Sequence, residues 1–468
     1  MCGVVGILTE GDDAFSAAVD GLFQMQHRGQ DACGLAISDG TKILLHKGLG
    51  YVREVFGQPP RDDFSGTLAC GHVRYPTAGA NRLDNAQPHA VVELEGVRMA
   101  LSSNGDLTNF AEVRQELEAE GVDFVGTNDA ELIVKFIAHR HLRMGDSLVD
   151  AIRAMQARIR GAYSACLITH DALYAIRDPH AIRPLTYGRG DGFWIVASET
   201  NALDINLADI VDDVGPGEII RFERGAAQPD RFPHPELAAA RPGWDREAHC
   251  VFEHVYFSRP DSIAFGERVY DVRKRIGAWL ANDDPITPDV VVPVPDSSNA
   301  IALGYAHEAG VPFEFGLIRN HYVGRTFISP TQKRRDAGVR RKFNPLRSVF
   351  KGKRVVLVDD SIVRGTTLRK ITRMVRAAGA EEVHLRIGSP IVRHSCFYGV
   401  DTPTSEELIG SRLDTQGICE HICADSLRYM SIEGLRACVS EERSFCFACF
   451  DGRYPVPTPT TKLQAACS

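Results

Sequence analysis

The apolar positions of the first 230 residues fall into short runs separated by polar turns. CGVVGIL, CGLAIS, TKILLHKG, GTLACGHVRY, ALSSNG, YSACLITHDALYAIRD and FWIVASET are brief apolar stretches, and they predict strands. Asp13 to Gln26, DAELIVKFIAHRHL and SLVDAIRAMQARI carry apolar residues at helical spacing and predict helices. Many strands with a few helices imply a layered α+β domain. From Arg221 to Trp244 the pattern lapses into a stretch rich in Pro, Ala and charge, which reads as a linker. Beyond it strand and helix alternate. PDVVVPVPDS precedes SNAIALGYAHEAG, KRVVLVDDS precedes TTLRKITRMVRAAG, and EEVHLRIGSP adds another strand. Apolar strands followed by helices imply an α/β unit with a parallel sheet. The expected organisation is a first domain over 2–230, a linker over 231–249, a second domain over 250–453 and a disordered tail over 454–468.

Composition fits this picture. A chain of 468 residues exceeds one ordinary core, so two domains are expected. No apolar run approaches the roughly 20 residues that span a bilayer. No basic segment followed by an apolar one opens the chain, so the expectation is a cytoplasmic protein without a secretory signal or membrane contact. A net charge of −8 argues against general nucleic-acid affinity. The charge is uneven, however: between Arg319 and Arg354 many Arg and Lys accompany a single acid, Asp336. That run is either a solvated basic face or a local site for a strongly anionic small ligand. Of the 12 cysteines, Cys33, Cys70 and Cys166 lie among small apolar residues and are expected in the core.

Cys2 raises a chemical question. Its side chain is small enough for aminopeptidase to remove Met1, which would leave a thiol and an α-amine on one residue. A thiol ionises near pH 8.5 and an α-amine near 7.7–8.0, so nucleophile and base would sit together close to working pH. Alone this is weak. Downstream, HRGQDACGLA (His27 to Ala36), GHVRYPTAG (Gly71 to Gly79), SSNGDLTN (Ser102 to Asn109) and GTNDAEL (Gly126 to Leu132) follow in order. Together these resemble the class II glutamine amidotransferase domain, an N-terminal-nucleophile (Ntn) hydrolase with a four-layer αββα fold. The resemblance implies that Cys2 attacks the glutamine side-chain amide while its amine shuttles the proton. It implies an oxyanion hole from the Asn104 side chain and the Gly105 N–H. Arg74 would grip the glutamine carboxylate and Asp129 the ammonium.

In the second half, VVLVDDSIVRGTT (Val355 to Thr367) is a buried strand, two acids and a small-residue turn into a helix. Backbone N–H groups at such a turn suit phosphate. The stretch resembles the type I phosphoribosyltransferase signature, whose substrate is 5-phosphoribosyl-1-pyrophosphate (PRPP). The resemblance implies that Asp359 and Asp360 hold the ribose diol and Mg²⁺. Ser361, Arg364, Gly365, Thr366 and Thr367 would hold the 5-phosphate. PVPDSSNAIALGYA resembles the pyrophosphate loop, with Ser297 on the metal side. RNHYVGRTFISPTQKRRDAGVRRK resembles the mobile catalytic loop, whose Arg325, Lys333 and Arg341 would neutralise pyrophosphate.

The two halves in this order, with FEHVYFSRPDS (Phe252 to Ser262) between them, resemble the glutamine PRPP amidotransferase family. The resemblance implies conversion of PRPP, glutamine and water to 5-phosphoribosylamine, glutamate and pyrophosphate, the first step of de novo purine synthesis. It also implies an ammonia channel with Tyr75 as a link between the sites, a homotetramer, and feedback by purine nucleotides. Rival readings are another class II glutamine amidotransferase and a non-catalytic PRPP-responsive regulator. An asparagine synthetase would need a motif such as SGGxDS, which is not found, and a regulator would not need Cys2, Arg74 and Asn104 together.

Four cysteines remain. Cys250 follows the linker, Cys396 follows a strand, and Cys446 and Cys449 form a CxxC pair. A CxxC pair alone suits zinc, redox chemistry or buried free thiols. All four contexts resemble the cluster-bearing branch of the family, which implies a structural [4Fe–4S] centre. One departure is that this branch often carries a short propeptide before the catalytic cysteine, whereas here Met1 precedes it: either aminopeptidase alone exposes Cys2 or the sequence begins at the mature end.

Overall fold

The structure is a computed structural model, and it describes residues 2–75, 82–93, 96–233, 247–282, 286–322 and 341–459. The first domain contains two antiparallel sheets face to face. One runs Asp209–Asp213, Thr186–Gly190, Phe193–Ala197, Gly3–Thr9, Leu68–Arg74, Ala32–Ser38, Ile43–Leu49 from edge to edge. The other runs Asp230–Phe232, Ile219–Glu223, Ala172–Arg177, Gly161–Ile168, Gly96–Leu107, His89–Glu93. Three apolar layers hold them. Val4, Cys70, Cys166, Leu173, Trp194 and Phe222 fill the space between the sheets. Phe15, Ala18 and Leu22 of helix Ala14–Gln24 cover the outer face of the first sheet. Ile133, Ile137, Ile152 and Met155, from helices Asp129–Ala138 and Leu148–Arg158, cover the second. The result is the expected αββα sandwich, stabilised because each element buries one apolar side.

Local pattern located most of these elements. The helix expected over Asp13 to Gln26 starts one residue later, with the Asp13 side chain accepting from Phe15 N–H as its cap. YSACLITHDALYAIRD folds into two strands, because Thr169 and Asp171 turn the chain between Ile168 and Ala172. Cys33, Cys70 and Cys166 are core residues, as expected.

Two expectations need correction. The linker does not begin at Arg221 or at residue 231. Ile219–Glu223 pairs with both Ala172–Arg177 and Asp230–Phe232, so residues through 232 edge the second sheet. Arg221 and Asp230 are ion-paired at 2.6 Å, and charge that resembles a linker belongs to an exposed edge. The tail is not disordered from 454. The Tyr398 hydroxyl donates to Val456 O at 2.6 Å and accepts from Val456 N–H at 3.0 Å, and the Tyr454 hydroxyl donates to Ser395 O. Residues 460–468 lie outside the described residues, as does 234–246 of the linker.

The second domain is built on a parallel sheet in the order Val290–Pro293, Arg354–Asp359, Glu382–Ile387, Ser426–Tyr429. Helices Val269–Asn282 and Asn299–Ala309 bury Ile276, Ile301 and Tyr305 on one face. Helices Thr366–Ala377 and Thr415–Ile422 bury Leu368, Ile371 and Ile418 on the other. Helices on both faces of a parallel sheet place a ligand site at the carboxyl ends of the strands, where Asp359 ends its strand. No described helix is long and apolar enough to cross a membrane.

Candidate active sites

Cys2 immediately precedes strand Gly3–Thr9, which lies inside the first sheet with Gly3 opposite Val73. Strand Leu68–Arg74 therefore brings Arg74 and Tyr75 beside Cys2. Asn104 and Gly105 come from the facing sheet. The site thus draws its nucleophile and its candidate oxyanion donors from opposite layers. Cys2 N–H donates to Asn104 Oδ1 at 3.2 Å, and the Cys2 thiol lies 3.5 Å from Tyr75 O. Asn104 is fully buried, and its Nδ2 has no hydrogen-bond partner among the described residues. An unused buried donor beside a thiol is costly in the resting protein, and an arriving oxyanion would satisfy it. Gly105 has φ 151°, and a Cβ there would lie 1.9 Å from Ala162 O. Glycine is required for the backbone to come this close. Gly399, from the second domain, packs on the same spot: a Cβ on it would sit 3.1 Å from Gly105 Cα.

Arg74 is 2% exposed, and burial lowers its guanidinium pKa against the opposing pull of Cys2 and Asp31. Asp129 starts helix Asp129–Ala138 and accepts from Leu107 N–H at 2.8 Å. Burial first, then neighbouring Asp106, pushes its carboxyl well above the usual range. Asp106 was not anticipated as a site residue. A desolvated carboxyl with a second carboxyl beside it favours a cationic partner, as an amino-acid ammonium would be.

The second site forms at the turn after strand Arg354–Asp359. Ser297 Oγ donates to Asp360 Oδ1 and Ser361 Oγ to Asp360 Oδ2, both at 2.6 Å. The two loops expected to share a metal therefore meet on one carboxylate. Burial pushes both Asp359 and Asp360 carboxyls up, and for Asp359 the charge of Asp360 adds to it. Gly365, at φ 73°, caps helix Thr366–Ala377, which a side chain would adopt only with strain. Thr366 and Thr367 are exposed in the first helical turn, where backbone N–H groups lack helical partners. Arg364 is exposed and ion-paired with Glu407, its Nε donating at 3.0 Å. Arg341 is exposed, whereas Arg325 and Lys333 lie outside the described residues.

Residues 80–205 match the glutamine amidotransferase domain family, and residues 261–387 match the phosphoribosyl transferase domain family. An amidophosphoribosyltransferase of Methanothermobacter thermautotrophicus is 44% identical over 462 residues, covering 98% of this chain and 95% of its own length. The chain belongs to the amidophosphoribosyltransferase family. A Methanocaldococcus jannaschii member is 42% identical, covering 99% of each chain. The solved glutamine PRPP amidotransferase from B. subtilis, complexed with ADP and GMP, superposes with a TM-score of 0.88 at 40% identity, covering 98% of both chains. A second solved structure, described as the allosteric regulatory enzyme of purine biosynthesis, gives a TM-score of 0.89 at 40% identity, covering 98% of this chain and 97% of its own.

Family membership directs attention to the remaining cysteines. Strands His249–Cys250 and Phe445–Cys446 pair in parallel, with Cys250 opposite Cys446. Cys449 O accepts from Arg393 N–H at 3.0 Å and His394 N–H at 3.1 Å, which draws in the segment carrying Cys396. The Cys396 sulfur accepts from Tyr398 N–H at 3.3 Å and faces Arg183 Nη2 at 4.0 Å. All four cysteines join one apolar cluster with Phe252, Phe447 and Phe450. Burial pushes the Cys250 thiol up to about 11 and those of Cys446 and Cys449 higher still. Among the described residues, no three or more His, Cys, Asp or Glu side chains are arranged to hold a metal ion.

Sequence reasoning missed Arg273 and left Lys342 unnamed at the end of the cationic stretch. Arg273 is buried on helix Val269–Asn282 and bears electrostatically on Asp360, while Lys342 bears on Asp359. The helix carrying Arg273 has a charged surface, VYDVRKRIGAWLAN, and nothing in that pattern distinguishes buried Arg273 from exposed Arg275.

Proposed function

We propose that this chain transfers ammonia from glutamine to C1 of PRPP, giving 5-phosphoribosylamine, glutamate and pyrophosphate, with hydrolysis in residues 2–232 and phosphoribosyl transfer in 250–453. The observation that carries the reading is the Cys2–Asn104 pair, with its unused buried amide donor. Removal of Met1 makes the Cys2 nitrogen a free α-amine. That amine takes the thiol proton as sulfur attacks the glutamine carbonyl, and Asn104 Nδ2 and Gly105 N–H receive the oxyanion. Collapse returns the proton to the leaving ammonia and leaves a thioester at Cys2, which water hydrolyses. Arg74 holds the glutamine carboxylate, and Asp129 with Asp106 its ammonium. Tyr75, beside both Arg74 and Cys2, is suited to report glutamine binding.

At the second site Asp359, Asp360 and Ser297 provide an all-oxygen donor set of the kind Mg²⁺ prefers. When bound, Mg²⁺ would neutralise the departing pyrophosphate as positive charge develops at C1. Ser361 and the 364–367 turn fit the 5-phosphate, and Arg325, Lys333 and Arg341 supply the cationic loop. Purine nucleotides are the proposed feedback inhibitors, the homotetramer the proposed assembly and the cytoplasm the proposed location. The B. subtilis relative with ADP and GMP supports the first of these.

Cys250, Cys396, Cys446 and Cys449 have the donor chemistry of a [4Fe–4S] cluster: four thiols packed in one apolar cluster of side chains, with the Tyr398 N–H donating to the Cys396 sulfur. Its role would be structural, joining the start of the second domain to its end. Protein purified without oxygen is expected to be brown, with about four irons per chain. Iron-free, colourless protein that remains stable and active would overturn this assignment.

Asn104→Ala tests the hydrolytic site. Loss of one oxyanion donor is expected to lower glutaminase kcat by roughly 10²–10³ with a much smaller change in KM. A change confined to KM would assign Asn104 to substrate clamping instead.

A further inference from the structure

The first domain does not complete its own site. Arg28, in the turn after the first helix, is fully enclosed, and its Nε donates to Cys2 O at 3.2 Å. The other two nitrogens of this guanidinium are held by carboxylates. Nη1 reaches Glu199 Oε1 at 2.9 Å. Nη1 and Nη2 both reach Glu253, at 3.0 Å and 2.9 Å. Glu253 belongs to the second domain. It is itself wholly buried and oriented by the Ser258 hydroxyl, which donates to Glu253 Oε2 at 2.7 Å.

The surroundings make this contact directional. Glu199 accepts from Arg259 N–H at 3.0 Å and from the Ser262 hydroxyl at 2.8 Å, so residues 253–262 grip the first domain at two carboxylates. The same segment is fastened from its other side. Arg273 Nε donates to His254 O and Arg273 Nη2 to Ser258 O, both at 2.8 Å. Arg183, a buried cation of the first domain, lies 3.5 Å from Glu253 Oε1 and donates to Tyr398 O at 2.6 Å. Glu253 thus sits between two buried arginines, one of which touches the backbone of the nucleophile.

We propose that Glu253 is a positioning residue for the glutaminase nucleophile: by fixing Arg28 it holds the Cys2 carbonyl, so that the second domain sets where the thiol points. This rests on Cys2 acting as the glutaminase nucleophile. Glu253 touches neither glutamine nor the reacting atoms. Its effect is geometric, because a bidentate carboxylate fixes the plane of a guanidinium and Arg28 Nε then has one direction in which to donate. A displacement of about 1 Å at a nucleophile can cost on the order of 10²-fold in rate.

The test compares Glu253→Gln, Arg28→Lys and the double variant in the full-length protein with Met1 removed. Glutaminase kcat and KM, the rate of Cys2 alkylation by a glutamine-like diazoketone, and Tm are measured on each. Glu253→Gln and Arg28→Lys are each expected to lower kcat and the alkylation rate tenfold or more, with KM changed less than threefold. The double variant is expected to match the worse single, since both act through one contact. Additive losses would overturn the proposal, as would wild-type kcat and alkylation in either single variant. If Glu253→Gln does not fold, Arg28→Lys decides alone, because lysine keeps the charge beside Glu199 and Glu253 but lacks the Nε donor. Absence of alkylation and glutaminase in the unaltered protein would instead refute Cys2 as nucleophile, a separate outcome.

Discussion

Replacing Cys2 by Ala is expected to abolish glutamine-dependent synthesis of phosphoribosylamine while synthesis from added ammonia continues. The thiol is the sole group proposed to form a bond to glutamine, and no neighbour can substitute for it. Asn104, Arg74 and Asp129 bind or stabilise but are not nucleophiles at neutral pH. Loss of a covalent nucleophile typically costs several powers of ten in rate, about 10⁴–10⁶ in well-separated cases. The second site should be spared, because Asp359 and Asp360 lie at the end of a strand in the parallel sheet of the other domain, where Asp360 is held by Ser297 and Ser361. Steady-state assays with each nitrogen donor, on protein whose Tm is unchanged, make the comparison. Loss of both activities with the fold intact would show that the two reactions are not divided between the domains as proposed.

The second large effect is expected from Asp359→Asn and Asp360→Asn. Each should impair synthesis from glutamine and from ammonia alike, the reverse of the Cys2 result. Two desolvated carboxyls side by side repel one another, and burial raises their proton affinity. A divalent cation relieves that repulsion, so removing one charge weakens metal and PRPP together. Asp360 is the more tightly placed, 6% exposed and held by two serine hydroxyls at 2.6 Å. A loss of about 10² in kcat/KM for PRPP corresponds to about 2.7 kcal/mol. PRPP saturation curves at several Mg²⁺ concentrations provide the measurement. Normal saturation in both variants would remove these residues from the PRPP site.

Much of this protein was legible in local pattern. The strand and helix periods of both domains and the buried Cys33, Cys70 and Cys166 follow from short stretches whose chemistry is contained within them, whereas the meeting of Ser297 with Asp360, 63 positions apart, was expected only from the resemblance of their loops to the phosphoribosyltransferase pattern. A strand-to-helix turn with two acids carries its own instructions, because strand, turn and helix N-terminus are adjacent in sequence.

Charged residues whose partners are remote were not legible. Arg28 and Glu253 are 225 positions apart, and each sits in a motif that reads plausibly as a turn or surface helix. Arg273 resembles its exposed neighbours until Asp360 and the carbonyls of His254 and Ser258 are placed around it. Arg221 and Asp230 look like linker residues until their strands pair at a sheet edge, and Val456 looks disordered until the Tyr398 hydroxyl meets its backbone. The physical reason is common to all four. An apolar residue is buried wherever it finds an apolar face, so its periodicity suffices to place it, whereas a charged or backbone polar group is buried only where a specific partner offsets its desolvation. Local pattern therefore determined the two domains, resemblance of their motifs pointed to the residues of their sites, and only the tertiary structure decided that the second domain reaches across to hold Arg28 beside Cys2.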